Sequence, residues 1–304
     1  MKKYLLLFIC FCGLETINAQ QDEQMSLYMQ NPLYFNPAYA GSRQSVSLVS
    51  LARFQWIKFD GAPQTQWFSI HTPLPIGGLG IGAHFVNDKV GSRNRTAAYL
   101  DASASIQLNK KNHRLAIGVS GGADFLSFDF SGLNVIDVND PYYGATFTST
   151  KPNVGAGIYY YGDRHYLGLS SPRLLEMKVT DPSAVISSLN KRHYFLTGGF
   201  VFDINSVIQC KPATMVKYTP DAPLTIDGNL SFLFYEKFWL GAMYRFNESL
   251  GMNAIFKIKN AFQVGYAFDF PINGLRTYQN GSHEIILTYD FNFKKRVYNS
   301  PRYF

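Results

Sequence analysis

The sequence predicts an all-β protein, a transmembrane antiparallel β-barrel of about fourteen strands, and three observations favour this fold class. Aromatic residues make up 16% of the 304-residue chain and charged residues also only 16%, an unusual balance for a water-soluble domain. No run of about eighteen apolar residues follows the N-terminal region, so a membrane-spanning helix does not explain the aromatic excess. Apolar and polar residues instead alternate over segments of roughly ten residues, as in strands with one apolar face.

Residues 1–19 have the layout of a secretory signal peptide and are excluded from the fold. Lys2 and Lys3 precede the apolar run YLLLFICFCG, and a small-residue site follows at Ala19. After their removal Cys210 is the only cysteine, which excludes an internal disulfide or a cysteine-built metal site. An exported chain whose strands cross a membrane belongs in the bacterial outer membrane, with both termini of an even-stranded barrel in the periplasm.

Residues 20–43 form an N-terminal plug or periplasmic segment that carries the stretch YMQNPLYFNPAYAGSR. Its two Asn-Pro pairs interrupt both helix and sheet ladder, because proline lacks an N–H donor. A barrel of about fourteen strands is too wide for its own side chains to fill, so we expect these aromatics to plug the periplasmic end of the lumen. The alternative is an external cap or docking strap. The residues assigned to this plug or docking element are Asn31, Pro32, Asn36, Pro37, Tyr39, Gly41 and Arg43.

Residues 44–293 are predicted to form the barrel. In HEIILTYDFNF, Ile285 and Leu287 fall on one face while Thr288 and Asp290 fall on the other, and AFQVGYAFDF and PLTIDGNLSFLF repeat this pattern. Outer-membrane strands turn such apolar faces to lipid and polar faces to the lumen, with aromatics at both interfaces. The predicted strands lie near 44–55, 64–73, 77–88, 96–108, 114–126, 153–162, 164–171, 193–205, 207–218, 223–234, 237–248, 249–259, 261–270 and 283–293.

Most of the long connections between these strands fall on the outer side, as outer-membrane barrels require. The first outer loop contains FQWIKFDGAPQTQ, in which Asp-Gly and Ala-Pro set the turn. Its aromatics are either members of the interfacial belt or part of a functional loop. The loop residues singled out are Trp56, Phe59, Asp60, Gly61 and Pro63.

The two longest outer loops, 127–152 and 172–192, are the predicted site for a protein partner. The second contains RLLEM and SAVISSL, which are apolar enough to form short interfacial helices or a contact surface.

Motifs of enzymes and metal sites are not supported. GVSGG at Gly118 to Gly122 fits the Gly-x-Ser-x-Gly pattern of hydrolases, but Ser120 is predicted in mid-strand without the helix that this motif needs. The six histidines have no metal-ligand spacing, and GGLGIG opens a strand where a phosphate loop would open a helix. The net charge of +7 is spread along the chain and indicates no nucleic-acid site. We therefore predict a protein without enzymatic activity, cofactor or metal.

Residues 294–304 follow the last strand as a periplasmic tail, KKRVYNSPRYF. Lys294, Lys295 and Arg296 either anchor the strand end against anionic headgroups or belong to a docking element. A compact Pro-Arg-aromatic terminus suits capture by a pocket of a partner protein. The residues assigned to periplasmic docking are Pro301, Arg302, Tyr303 and Phe304.

Several stretches together resemble the PorP/SprF family of type IX secretion system outer-membrane proteins. They are the leader QMSLYMQNPLYFNPAYAGSR, the stretch RFQWIKFDGAPQTQ, GLGIG followed by NDKVG, and the terminal SPRYF. The resemblance implies an outer-membrane barrel that supports secretion or surface attachment of proteins such as gliding adhesins. Its implied partners are the C-terminal domain of a secreted surface protein, other secretion components of the outer membrane and periplasm, and the lipid bilayer.

Three function classes stay open from the sequence. The favoured one is a secretion and attachment component that binds proteins through its loops and termini. The second is a passive or substrate-selective channel, favoured by an inner face rich in Gly, Ser, Asn and Asp. The third is a hydrolase. The family has no established catalytic residues that could be carried over to this chain.

Overall fold

Fourteen antiparallel strands form a closed barrel in this protein. The structure, a computed structural model, describes residues 23–43, 45–110, 112–131, 146–180, 187–258 and 261–291. The predicted signal peptide and the tail 294–304 lie outside the described residues. Among the residues that are described, no helix has the length and apolar character needed to cross a membrane.

The barrel wall consists of long strands joined mostly as hairpins. Its strands are β1 (Val46–Phe54), β2 (Gln64–Pro73), β3 (Leu79–Val90), β4 (Arg93–Gln107), β5 (Arg114–Asp129), β6 (Thr146–Tyr161), β7 (His165–Ser171), β10 (Tyr194–Phe200) with β11 (Phe202–Asp203), β12 (Ile208–Tyr218), β13 (Thr225–Phe234), β14 (Phe238–Arg245), β15 (Ser249–Ile258), β16 (Phe262–Pro271) and β17 (Ser282–Phe291). A separate two-stranded sheet, β8 (Met177–Thr180) and β9 (Ser187–Asn190), lies in the connection after β7.

The first and last strands close the barrel. β1 pairs antiparallel with β17 in a register that runs from Val46 opposite Phe291 to Phe54 opposite His283. β10 and β11 keep one register against β12, which places Phe200 opposite Pro212, where the ladder is interrupted because proline has no N–H to donate. Counted as one, they make the fourteenth strand, and the prediction of a closed barrel of about fourteen strands is confirmed.

The two longest connections differ from their prediction. β5 and β6 extend to Asp129 and Thr146, which pair with each other, so part of the predicted loop 127–152 is strand. The β-branched residues Thr146, Thr148 and Thr150 favour this extension, which the roughly ten-residue length of a membrane strand did not anticipate. In the predicted loop 172–192, the described residues contain the β8–β9 hairpin in place of short helices.

Side chains alternate across the wall as the sequence predicted. On β17, Ile285 and Leu287 are 47% and 42% exposed on the outside, whereas Ile286 and Thr288 are 1% and 2% exposed on the inside. The same alternation places Phe68, Leu100, Ile117 and Phe256 on the outside. The outer face is therefore an apolar band, while the inner face is enclosed.

The long connections gather at one end of the barrel, which we call the loop end; the opposite end is the turn end. At the loop end the strands are joined by residues 55–63, 91–92, 130–145, 172–193, 219–224, 246–248 and 272–281. At the turn end the connections are 74–78, 108–113, 162–164, 204–207, 235–237 and 259–261. The predicted separation of long and short connections is therefore present.

The outward position of Leu287 is tested by Leu287→Arg. An arginine facing the middle of a bilayer is expected to destabilise the barrel by about 2–4 kcal/mol, because the guanidinium loses its hydration there. Urea unfolding in lipid vesicles, followed by tryptophan fluorescence, measures the effect. Leu275→Arg in the loop 272–281 is the control and should shift stability by no more than about 1 kcal/mol; equal destabilisation by both substitutions would contradict the assigned outer face.

Candidate functional site: an N-terminal segment seated in the barrel

The N-terminal segment, residues 23–43, is buried against inward-facing residues of the wall at every level of the barrel. Its first residues contact strand ends at the loop end, and its last residues contact strand ends at the turn end. Three short helical turns, Tyr28–Gln30, Pro32–Phe35 and Pro37–Tyr39, shape it. The sequence located this stretch at the turn end of the lumen, whereas its contacts extend along the whole interior. Whether it blocks passage through the barrel stays a prediction.

Proline and asparagine residues set the turns of the segment. Pro32 and Pro37 each occupy the first helical position, where the missing N–H has no partner to lose. The side chain of Asn36 accepts from the N–H of Ala38 at 3.0 Å and donates to the carbonyl of Ile158 at 3.0 Å. Asn36 therefore caps the last turn and ties it to β6.

Glycines in the wall make room for residues 36–41 of the segment, the part nearer the turn end. A Cβ atom added at Gly118 would overlap the backbone of Pro37 and Ala38, and one at Gly80 would overlap the carbonyl of Ala40. The segment reaches equally close at Gly41, which has a φ of +69° that glycine adopts without strain. The glycines of the GLGIG motif thus leave the inner face of β3 without side chains at these positions, and the backbone of the segment packs directly against it.

At the turn end the segment is fixed by polar contacts to the closing strands. The guanidinium of Arg43 donates to both carboxylate oxygens of Asp290 on β17 at 3.1 Å, and it also donates to the hydroxyl of Tyr39 at 3.0 Å. The N–H of Gly41 donates to Nδ1 of His71 at 3.1 Å. These contacts hold the segment where it enters β1.

The middle of the barrel is an aromatic and apolar core that the segment completes. Tyr34 meets Trp67 edge-on with ring centroids 6.1 Å apart, and Phe35 lies 5.1 Å from Phe195. The Oδ1 atom of Asn31 accepts from the hydroxyl of Ser69 at 2.7 Å. Inward residues that would otherwise line an open lumen are therefore covered.

A first charged cluster lies at the loop end around Glu23. Arg95 bonds both Glu23 and Asp124, and the second carboxylate oxygen of Glu23 accepts from the hydroxyl of Tyr34 at 2.8 Å. Arg173 lies 3.6 Å from the same oxygen. Buried charges of this kind are stable only when they are paired, so the segment supplies a carboxylate that the wall arginines need.

A second charged cluster binds the backbone of the segment. The carboxylate of Glu284 on β17 accepts from the N–H groups of Ser26 and Leu27 at 2.8 and 2.7 Å. Arg53 on β1 pairs with Glu284 at 3.0 Å and with Asp269 at 2.6 Å. These three strands, β1, β16 and β17, are neighbours at the seam where the barrel closes.

The first loop at the loop end packs against its neighbours. Trp56 has a φ of +48°, which is uncommon for a bulky residue. Its backbone N–H donates to the hydroxyl of Ser282 at 3.3 Å. The backbone N–H of Phe59 donates to the carbonyl of Trp56 at 2.9 Å. The side chain of Phe59 is 47% exposed, and Asp60 is also exposed. The carbonyl of Gly61 accepts from Gly91, and that of the buried Pro63 accepts from Gln55. The loop is therefore ordered by contacts to two other loops.

Sequence reasoning did not single out the buried charges that hold the segment. Arg53, Arg95, Asp269 and Glu284 occur in alternating stretches in which only the apolar face was interpreted, and Glu23 precedes the aromatic stretch of the N-terminal segment. A signal was present, because ionisable residues on the inner face of a membrane segment are costly and commonly functional. Their partners come from distant parts of the chain, which spacing does not reveal.

The predicted docking residues Pro301, Arg302, Tyr303 and Phe304 lie outside the described residues. Ser120 lies within β5 and in no strand-to-helix turn, so its surroundings differ from those of the hydrolase motif. Over the described ranges, no three His, Cys, Asp or Glu residues are grouped to hold a metal ion.

Comparison with known proteins identifies one family and several structures of similar fold. The family described as "Type IX secretion system membrane protein PorP/SprF" matches residues 17–289. No curated protein matches. The CymD monoaromatic hydrocarbon channel is similar at a TM-score of 0.52 and 12% identity, with 91% of this chain and 95% of that chain covered.

Two further structures have lower similarity. A TodX monoaromatic hydrocarbon channel mutant has a TM-score of 0.46 and 11% identity, with 86% of this chain and 94% of that chain covered. The Acinetobacter baumannii outer membrane protein Omp33 has a TM-score of 0.45 and 10% identity, with 83% of this chain and all (100%) of that chain covered. At 12% identity the similarity to CymD bears on the fold alone.

The close approach of wall and segment is tested by Gly118→Ala. The new methyl group is expected to force the turn Pro37–Tyr39 away from β5 and to cost about 1–3 kcal/mol of stability, as overpacking does elsewhere. The matched control is Gly121→Ala, on the outer face of the same strand, where an added Cβ meets nothing within 4 Å. Urea unfolding in vesicles compares the two; a Gly118→Ala protein as stable as the control would contradict the seating of the segment.

Proposed function

Since the chain belongs to the PorP/SprF family of type IX secretion system membrane proteins, we propose that it supports the export or surface attachment of secreted proteins such as gliding adhesins. It resides in the bacterial outer membrane, where its loop end faces the exterior and its turn end faces the periplasm. Its role in this proposal is that of a non-enzymatic component that binds protein partners.

The burial of the aromatic side chains of the N-terminal segment against the inner face of the wall is the observation that supports this proposal. Tyr28, Tyr34, Phe35 and Tyr39 of the N-terminal segment are at most 5% exposed, and wall side chains surround them. An open diffusion channel needs a continuous aqueous path, and aromatic rings occupy the middle of this barrel. Binding through loops and termini is therefore favoured over transport through the lumen.

Partner contacts are proposed for both ends of the barrel. On the outer side, the connections that include the β8–β9 hairpin and residues 130–145 are the longest, and a secreted protein would meet them there. On the periplasmic side, the tail with Pro301, Arg302, Tyr303 and Phe304 would meet other secretion components. The barrel would then link a secreted protein bound at its outer side to secretion components bound at its periplasmic side.

The conductance of the purified protein tests the proposed closure by the segment. Wild-type protein in planar bilayers is expected to show little steady ion conductance, and a variant without residues 20–40 is expected to conduct, because the interior then fills with water. Heat modifiability in gel electrophoresis checks that the variant still forms a barrel. Equal, substantial conductance of both proteins would support the channel alternative and leave the segment as a docking strap.

Removal of residues 300–304 tests the periplasmic docking role. The truncated protein is expected to remain a heat-modifiable barrel at normal abundance but to impair secretion or attachment of its partner, measured by surface immunolabelling. Substitution of Lys294, Lys295 and Arg296 by glutamine is the control for headgroup anchoring. Normal secretion by the truncated protein would refute docking, and loss of the barrel would assign the tail to folding.

A further inference from the structure

Residues 23–27, the outer stretch of the N-terminal segment, are held largely by side chains of the wall. Glu23 is bound by Arg95 of β4 and approached by Arg173, and Gln24 contacts Arg245 and Glu248 at 3.1 Å each. The backbone N–H groups of Ser26 and Leu27 both donate to the carboxylate of Glu284. The wall thus recognises one carboxylate and, three residues further on, two consecutive backbone N–H groups.

The wall groups of this site hold one another in place. Arg53 pairs with both Glu284 and Asp269, and Asp269 in turn accepts from the hydroxyl of Ser26 of the occupant at 2.5 Å. On the other side Asp124 accepts from the hydroxyl of Tyr99 at 2.5 Å and bonds Arg95. Receptor groups fixed in this way need little rearrangement to bind a similar peptide.

The rest of the segment is seated differently. Residues 36–41 press their backbone onto Gly80 and Gly118 and are shaped by a capped turn, so their fit is steric and specific to this chain. None of the described glycines of the wall abuts residues 23–27, and no helix or strand lies within that stretch. A break between the two halves therefore falls before Tyr28, where the first helical turn begins.

We propose that the loop end of the interior is a binding site for an extended acidic peptide, occupied in the free protein by the chain's own residues 23–27. The ligand class is a peptide with a Glu or Asp side chain for Arg95 and Arg173, followed three residues later by two free N–H groups for Glu284. Charge complementarity selects the acidic residue, because loss of Glu23 leaves these arginines with one carboxylate fewer.

The site adjoins a cleft at the loop end of the barrel. Gln24 is half-buried and lines a cleft at the loop end together with Trp56 and Gln279, which belong to the connections 55–63 and 272–281. An extended stretch of a secreted protein arriving at the cell surface would meet this cleft first. The inference thereby deepens the proposed function and rests on it for the source of the peptide, while binding itself is measured on the purified barrel.

The full-length protein with Glu23→Ala tests the exchange. The probe is a fluorescent, N-acetylated peptide with the sequence of residues 23–27, EQMSL, and its anisotropy reports binding in detergent. The Glu23→Ala protein, whose own occupant is weakened, is expected to bind this probe at least about tenfold more tightly than wild type. A probe that carries Gln in place of Glu should lose at least about tenfold in affinity for the same protein.

Asp203→Ala is the matched control, because Asp203 forms an exposed ion pair with Arg164 at the turn end and should leave probe binding at the wild-type level. A second measurement follows the segment itself: Met25→Cys in a Cys210→Ser background reports its release by maleimide labelling. We expect excess probe to accelerate labelling when Glu23→Ala is also present.

Three results would overturn the proposal. They are equal probe affinity of the wild-type and Glu23→Ala proteins, equal affinity of the Glu and Gln probes, and a maleimide labelling rate of the Met25→Cys protein that neither Glu23→Ala nor the probe changes. Any of these would make residues 23–27 a permanent part of the barrel. None would bear on the secretion role, which is measured by surface labelling in cells.

Discussion

A closed sheet of fourteen strands encloses more space than its own inward side chains fill. This constraint governs the rest of the structure. Water could fill the space, as it does in porins, but the wall here carries Trp67, Leu51 and Ile286 on its inner face. Apolar side chains in that position favour packing over water, and residues 23–43 of the chain are buried against them.

The segment joins the two strands that are farthest apart in sequence. At the loop end it lies between Arg53 of β1 and Glu284 of β17, and at the turn end Arg43 reaches Asp290 of β17. The segment therefore contacts both ends of the closing seam, through the Arg43–Asp290 ion pair at the turn end and through hydrogen bonds of Ser26 to Arg53 and Glu284 at the loop end. Because a buried charge without a partner is strongly destabilising, seam and segment stabilise each other.

The two halves of the segment use different physics. Near the turn end, glycines of the wall such as Gly118 allow backbone to contact backbone, and the ion pair between Arg43 and Asp290 adds to this steric fit. Near the loop end, Glu23 and Ser26 meet arginines and carboxylates, and the fit depends on charge and hydrogen bonding. Met25 and Leu27 of the same stretch are buried in the apolar core, so the loop-end contacts combine charge with apolar packing.

The sequence by itself determined the barrel, its strand number and most strand positions, because outward apolar alternation is a local property that each strand displays independently. It also indicated that the stretch with Asn36 and Tyr39 is irregular and needs a surface to pack on. Only the tertiary structure decided where that stretch lies and what holds it. Glu23 meets Arg95 from 72 residues away and Ser26 meets Glu284 from 258 residues away, and contacts between residues so distant in sequence arise only when the barrel forms.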